Sequence, residues 1–323
     1  RPTRLLGFTS DIVATFAVVF GLAGSLVMGV LQVRAGVTEV FGIAPTTAVS
    51  VVILGVLAVA FMLSASTGLS KGIQILSNLN MVLVILLLLV VSVFGPTAYI
   101  MDAFVNSIGD YIAALPAYSF RILSYENQTD WTSAWTLTYL IWWVAWGPFV
   151  GIFIARISRG RTIRQFCIGV ILIPSLLSVF WFAALGGTSI WIELNGGGGL
   201  AELVSEDVAT ALFAFLDYMP FGNLLGFMAL LLVFIFLVTS ADSGTFVISM
   251  MTSEGALNPK TSLKLAWGAA ITLLTLAILL SGSVEIAKAM AIFGAVPVTL
   301  ILVVQIVGFL RALREEPAMG GAA

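Results

Sequence analysis

Residues 133 to 155 carry no charge, and four arginines follow within nine residues: Arg156, Arg159, Arg161 and Arg164. A helix crosses a bilayer with about 20 mostly apolar residues. In hydrocarbon every backbone polar group must be bonded internally, so long uncharged runs of this kind fold as helices. The arginines mark the end of the crossing and its cytoplasmic side. Seven further apolar runs follow the same rule, at about residues 12–33, 46–63, 81–100, 166–190, 221–251, 263–280 and 287–313. Sixty per cent of the residues are hydrophobic and nine per cent charged, which places the chain among all-α integral membrane proteins.

Several breaks are expected: Gly95-Pro96 in the third run, Gly147-Pro148 in the fourth, a polar interruption at 239–244 in the sixth, and Gly294 with Pro297 in the eighth. A turn is expected at 68–72, and a surface helix followed by a polar loop over 102–130. The glycine run 196–199 and the acidic stretch 202–207 read as a loop. A short helix at about 208–218 is expected to end at Pro220.

Eight alternating crossings divide the Lys and Arg residues eleven to three. Arg1, Arg4, Lys71, the four arginines after the fourth run, Lys260, Lys264, Arg311 and Arg314 fall on one side; Arg34, Arg121 and Lys288 fall on the other. The positive-inside rule makes the first side cytoplasmic, with both ends of the chain on it. An odd number of crossings would scramble this asymmetry.

The chain has no His, no clustered carboxylate pair, and a single cysteine, Cys167, with only arginines as basic neighbours. These features speak against an enzyme and exclude an intrachain disulfide. No basic patch with interleaved aromatics suggests nucleic acid. The isolated glycine run lacks the context of a phosphate loop. Asn127-Gln128-Thr129 fits a glycosylation triplet that chance supplies often. No cofactor is expected.

Two features inside the apolar runs carry chemistry. Trp135, Tyr139, Trp142, Trp146, Phe149 and Phe153 step by four and three, so they share one helical face. Trp143 sits about 100° round from Trp142. Indoles near the middle of a crossing, beside Gly147-Pro148, suit a quaternary ammonium held by cation–π attraction. An aromatic packing seam between helices would give the same pattern. The second feature is FLVTSADSG, residues 236–244, with hydroxyls and a carboxylate in an apolar run. Polar groups at membrane depth tend to mark ion or substrate paths. Thr239 and Ser240 offer hard oxygen ligands for Na⁺; alternatively they bond their own helix carbonyls. Asp242 is expected to pair with an arginine at the end of the tryptophan helix, such as Arg156, as a structural or gating contact; the alternative is a proton site.

The run WWVAWGPFVGIFIARISRGRTIRQF resembles the signature of the betaine/choline/carnitine transporter family. GLSKGIQILSNLNMVLVILLLLVVSVFGPT at 68–97 and VTSADSGTFVISMMTS at 238–253 resemble segments of the same family, in the expected order. The resemblance implies a LeuT-like fold of two five-helix inverted repeats, in which the first helix of each repeat is broken. On that reading the chain is the last eight helices of a twelve-helix protein. Residues 1–119 would be three helices of a truncated first repeat plus a surface helix, 120–314 a complete second repeat, and 315–323 a cytoplasmic tail. The resemblance also implies a substrate site at Trp142, Trp143, Trp146 and Tyr139, and a sodium site at Phe236, Thr239 and Ser240, with Na⁺ as the coupling ion. The implied substrate is a small trimethylammonium or dimethylsulfonium solute, the implied location the inner cell membrane, and the implied assembly a homotrimer. The resemblance is incomplete: Thr138, Leu140 and Ile141 interrupt an aromatic run that is fuller in relatives. Val18 and Leu22 stand where sodium-coupled relatives can carry hydroxyls, leaving Ser25 nearby. Rival readings are a sodium-independent or proton-coupled exchanger of this family and a non-transporting membrane osmosensor.

Overall fold

The computed structural model describes residues 3–67, 70–121, 131–253 and 255–315. Gly68, the polar loop with Glu126 and Asp130, the 127–129 triplet and the tail beyond Glu315 lie outside them. The described residues are almost wholly helical. Thr3–Phe41 (α1), Thr47–Thr67 (α2), Ser70–Phe94 (α3) and Thr97–Ser119 (α4) come first. The tryptophan helix, α5, opens with a π turn over Thr132–Leu137 and continues as Thr138–Ile157. A continuous helix α6 runs over Ile163–Asn195 and is followed by Leu200–Glu206 (α7) and Ala211–Asp217 (α8). Gly222–Met251 (α9), Thr261–Leu280 (α10) and Val284–Glu315 (α11) complete the order.

Eight of these helices are long and apolar enough to cross a membrane: α1, α2, α3, α5, α6, α9, α10 and α11. They overlap the eight runs expected from sequence, although the third starts earlier than expected and ends at Phe94, not near residue 100. This is a multi-pass, all-α membrane protein. Contacts at the helix ends agree with alternating directions. Lys264 Nζ, near the start of α10, donates to the Ala65 carbonyl at the end of α2, at 2.6 Å. At the opposite end, the rings of Phe94 and Phe221 meet edge to face at 6.1 Å. α4 exposes nearly its whole surface, burying only Ile100 among its large residues, which fits the expected surface helix.

Two expected features of α3 and α4 have clear causes. Gly95 ends α3 because a Cβ there would lie 2.5 Å from the Val91 carbonyl oxygen. Thr97 then bonds back to the Ser92 carbonyl at 2.7 Å, satisfying a helix-end acceptor as α4 begins.

Three expected interruptions are absent. α5 runs through Gly147 and Pro148, α9 runs unbroken through 239–244, and α11 runs through Gly294 and Pro297. Proline removes one ladder bond, but helices in apolar surroundings tolerate it where neighbours hold the segment. In α5 the irregularity lies instead at the first turns, where Thr138 Oγ1 donates to the Ser133 carbonyl five residues back, at 2.7 Å. That bond matches the wider π turn. α6 contains two more π turns, Ile168–Leu172 and Phe182–Gly186.

α1 and α9 are the most enclosed crossings. α1 touches α2, α5, α9, α10 and α11, so the bundle is built around it. Its glycines set how close the neighbours come. A Cβ on Gly24 would lie 2.9 Å from the Ala287 carbonyl of α11, and one on Gly294 of α11 would lie 3.1 Å from Ala17 Cα. Against α9 the fit is different: Leu22 of α1 fills the space over Gly244, and Leu237 of α9 fills the space over Gly29.

Candidate functional site

α5 lies against α1 where Gly21 permits it: a Cβ there would sit 3.0 Å from the Ala145 Cβ. The close approach brings two indoles onto one hydroxyl. Trp142 Nε1 donates to Ser25 Oγ at 2.9 Å, and Trp146 Nε1 donates to the same oxygen at 3.1 Å. Ser25 donates its own hydrogen to the Gly21 carbonyl at 2.9 Å. Both indoles are half-buried. Trp146 continues into the Phe149 ring, edge to face at 5.3 Å, and Phe149 is buried.

The expected aromatic set therefore separates. Trp142 and Trp146 meet at Ser25. Tyr139 stacks on Trp135 at 5.8 Å, with rings almost parallel at 7°, and both are about half exposed near the start of α5. Trp143 is 73% exposed and points away from α1, as its position round the helix dictates. Ser25 is the residue whose role sequence reasoning missed. Its only signal is a lone hydroxyl in a run of glycines and aliphatics, which says nothing of what crosses to meet it.

On α9, Thr239 Oγ1 donates to its own helix, to the Ile235 carbonyl at 3.0 Å and the Phe236 carbonyl at 3.1 Å. The carbonyl expected as a sodium ligand thus already accepts from the adjacent ligand. Ser240 is half-buried, and its hydroxyl has no hydrogen-bond partner among the described residues. Phe236's side chain is 45% exposed.

Asp242 is buried. Its carboxylate accepts a hydrogen bond from the Ser64 side chain of α2 and feels the charge of Lys264 on α10. The side chain of Arg156, the expected partner, lies outside the described residues. Asp242, Ser64, Ala65 and Lys264 thus tie α9, α2 and α10 together at the end where α2 finishes. Cys167 is exposed, as a residue on the outer face of α6.

The model of the betaine/carnitine/choline family transporters matches residues 1–318. An ectoine/hydroxyectoine transporter of Virgibacillus pantothenticus is 39% identical, over 97% of this chain and 62% of that protein. The glycine betaine transporter OpuD of Bacillus subtilis is 41% identical, over 96% of this chain and 60% of that protein. An osmo-independent choline transporter of Acinetobacter baylyi is 34% identical, over 98% of this chain and 61% of that protein. The chain spans about three fifths of the length of these curated relatives. With a family model covering nearly all of it, this chain belongs to the betaine/carnitine/choline transporter family.

Proposed function

We propose that this chain is part of a carrier for a quaternary ammonium or related compatible solute, of the glycine betaine, choline, carnitine or dimethylsulfoniopropionate type. Uptake proceeds by alternating access and is coupled to Na⁺. The observation that carries this reading is the pairing of Trp142 and Trp146 on Ser25. Their N–H edges are held by the hydroxyl, which leaves their ring faces for a soft cation. Each such contact is worth roughly 0.5–2 kcal/mol, more when dry. The substrates for which the relatives are named, glycine betaine, choline and ectoine, support the same class. Trp143 and Tyr139 complete the solute's surroundings only if α5 turns or further helices approach their exposed faces.

Sodium is assigned to Phe236, Thr239 and Ser240. Hydroxyl and carbonyl oxygens are the ligands such an ion takes in transporters of this kind. Thr239 keeps its lone pairs while its hydrogen bonds the Phe236 carbonyl, so the oxygen remains a donor to a cation. A second reading is sodium-independent exchange. It is favoured by the unbroken α9, in which Thr239 and the Phe236 carbonyl are satisfied by each other without an ion.

The wider arrangement follows the family resemblance. The eight crossings are assigned to the last eight of twelve, residues 120–314 to a complete inverted repeat, and the assembly to a homotrimer. Both ends of this chain are assigned to the cytoplasmic side of the inner membrane, a reading that the Lys and Arg distribution supports. The test is uptake of labelled glycine betaine by cells expressing the full-length gene product, in Na⁺ or K⁺ medium, with choline, carnitine and dimethylsulfoniopropionate as competitors. Uptake that requires Na⁺ and collapses in Trp146→Ala is the expected result. Uptake indifferent to Na⁺ moves the reading to exchange or proton coupling. No uptake and no competition by any of these solutes refutes the solute class.

A further inference from the structure

Arg34 lies on α1 nine residues beyond Ser25, about 14 Å along the helix at 1.5 Å per residue. There α1, α2 and α10 leave a cavity of about 220 Å³. Arg34, Thr47, Ser50 and Ser283 supply its polar wall, and Leu31 and Ile278 part of the apolar remainder. None of these residues belongs to the tryptophan pair or to the hydroxyls of α9.

The guanidinium is poorly satisfied. Its Nε is buried with no hydrogen-bond partner among the described residues. Its Nη1 reaches only the Ser50 hydroxyl, at a long 3.5 Å, and Ser50 is itself 1% exposed. Among the described residues no carboxylate pairs with Arg34. One turn along α1, Thr38 Oγ1 is also buried and unpartnered among the described residues. A permanently charged guanidinium with five donors, half-buried against a partly open pocket, calls for a counter-charge. Hydroxyls of Thr47, Ser50 and Ser283 can donate to the same guest. At about 30 Å³ per water molecule the cavity holds only a small one.

We infer that this cavity is a binding site for a small monovalent anion, a halide or a free carboxylate group, held by Arg34 with the Ser50 hydroxyl. The site stands whether or not the tryptophan pair binds a solute.

The test is thermal unfolding of the purified full-length gene product in nanodiscs of zwitterionic lipid, followed by tryptophan fluorescence. Sodium chloride or sodium acetate is titrated at constant ionic strength against sodium gluconate, whose polyol anion is far bulkier. A saturable rise in the midpoint is expected. Saturation with chloride alone identifies a halide, and with acetate alone a carboxylate. The rise is expected to vanish in Arg34→Gln and to persist in Trp146→Ala, which separates this site from the solute site. Ser50→Ala keeps the Arg34 charge and removes one hydroxyl from the site. It is expected to weaken the saturating anion roughly five-fold, the loss of about one hydrogen bond. No saturable rise with either anion overturns the inference, and so does a rise of unchanged midpoint and affinity in both Arg34→Gln and Ser50→Ala.

Discussion

Ser25→Ala removes one oxygen and strands two indole N–H groups at once. The bonds at 2.9 and 3.1 Å are both of good length, and the groups that make them are half-buried. A neutral hydrogen bond contributes about 0.5–1.5 kcal/mol net, so the pair contributes about 1–3 kcal/mol, a factor of roughly 5 to 150 in the folding equilibrium. The third bond, from Ser25 to the Gly21 carbonyl, adds little because that carbonyl also serves the helix ladder. The assay is reversible unfolding of the purified chain in mixed micelles, run as a cycle with Trp142→Phe and Trp146→Phe. Phenylalanine keeps an aromatic ring and drops the N–H. In the double phenylalanine background Ser25→Ala is expected to cost almost nothing, because there is no indole left to satisfy. If Ser25→Ala costs the same in both backgrounds, its role lies in packing against α5 and the hydrogen-bond argument fails.

Gly24→Ala is expected to destabilise by about 1–3 kcal/mol, because the new Cβ meets the Ala287 carbonyl, a backbone atom that cannot swing aside. Gly151→Ala, on an open part of α5, is the matched control, expected to be neutral or to stabilise by about 0.5–1 kcal/mol through helix propensity; the unfolding midpoints of the two variants decide. Lys264→Met takes a charged donor from the Ala65 carbonyl and from the neighbourhood of Asp242. A loss of about 1.5–3 kcal/mol is expected in the same assay, partly recovered by Lys264→Arg. Glu193 accepts the backbone N–H groups of Leu200 and Ala201 at 2.9 and 3.0 Å, so Glu193→Ala is expected to fray α7. Hydrogen exchange of those amides should rise, at a cost of about 1 kcal/mol.

The crossings were legible because their cause is local: an apolar run of sufficient length has only one way to satisfy its backbone in hydrocarbon. Gly95 and Pro96 were legible for the same reason, since the glycine's missing Cβ is a local necessity. The prolines within α5 and α11 were not. Whether Pro148 or Pro297 breaks a helix depends on what packs around it, and here both helices continue through. The π turns of α6 have no sequence mark beyond ordinary apolar residues. At the site, the shared face of Trp142 and Trp146 was readable from spacing, and so was the different direction of Trp143. The meeting of both indoles on Ser25 was not, because it depends on α1 and α5 being brought together by Gly21 and Ala145. Asp242 was readable as a residue needing a partner. That Ser64 and Lys264 supply its surroundings follows from three helices converging, which no one stretch encodes.

The two kinds of contact made by α1 differ mechanically. Toward α11 it is backbone on backbone, with Gly24 under the Ala287 carbonyl and Gly294 over Ala17. A slide of one residue, about 1.5 Å, would drive a Cβ into a carbonyl, so this pair has one register and travels as a single strut. Toward α9 the contact is leucine tips over glycines, Leu22 on Gly244 and Leu237 on Gly29. Side-chain tips change rotamer at small cost, which makes this seam a bearing. Any large motion of the bundle should therefore rock the α1–α11 strut against α9, leaving the strut itself unsheared.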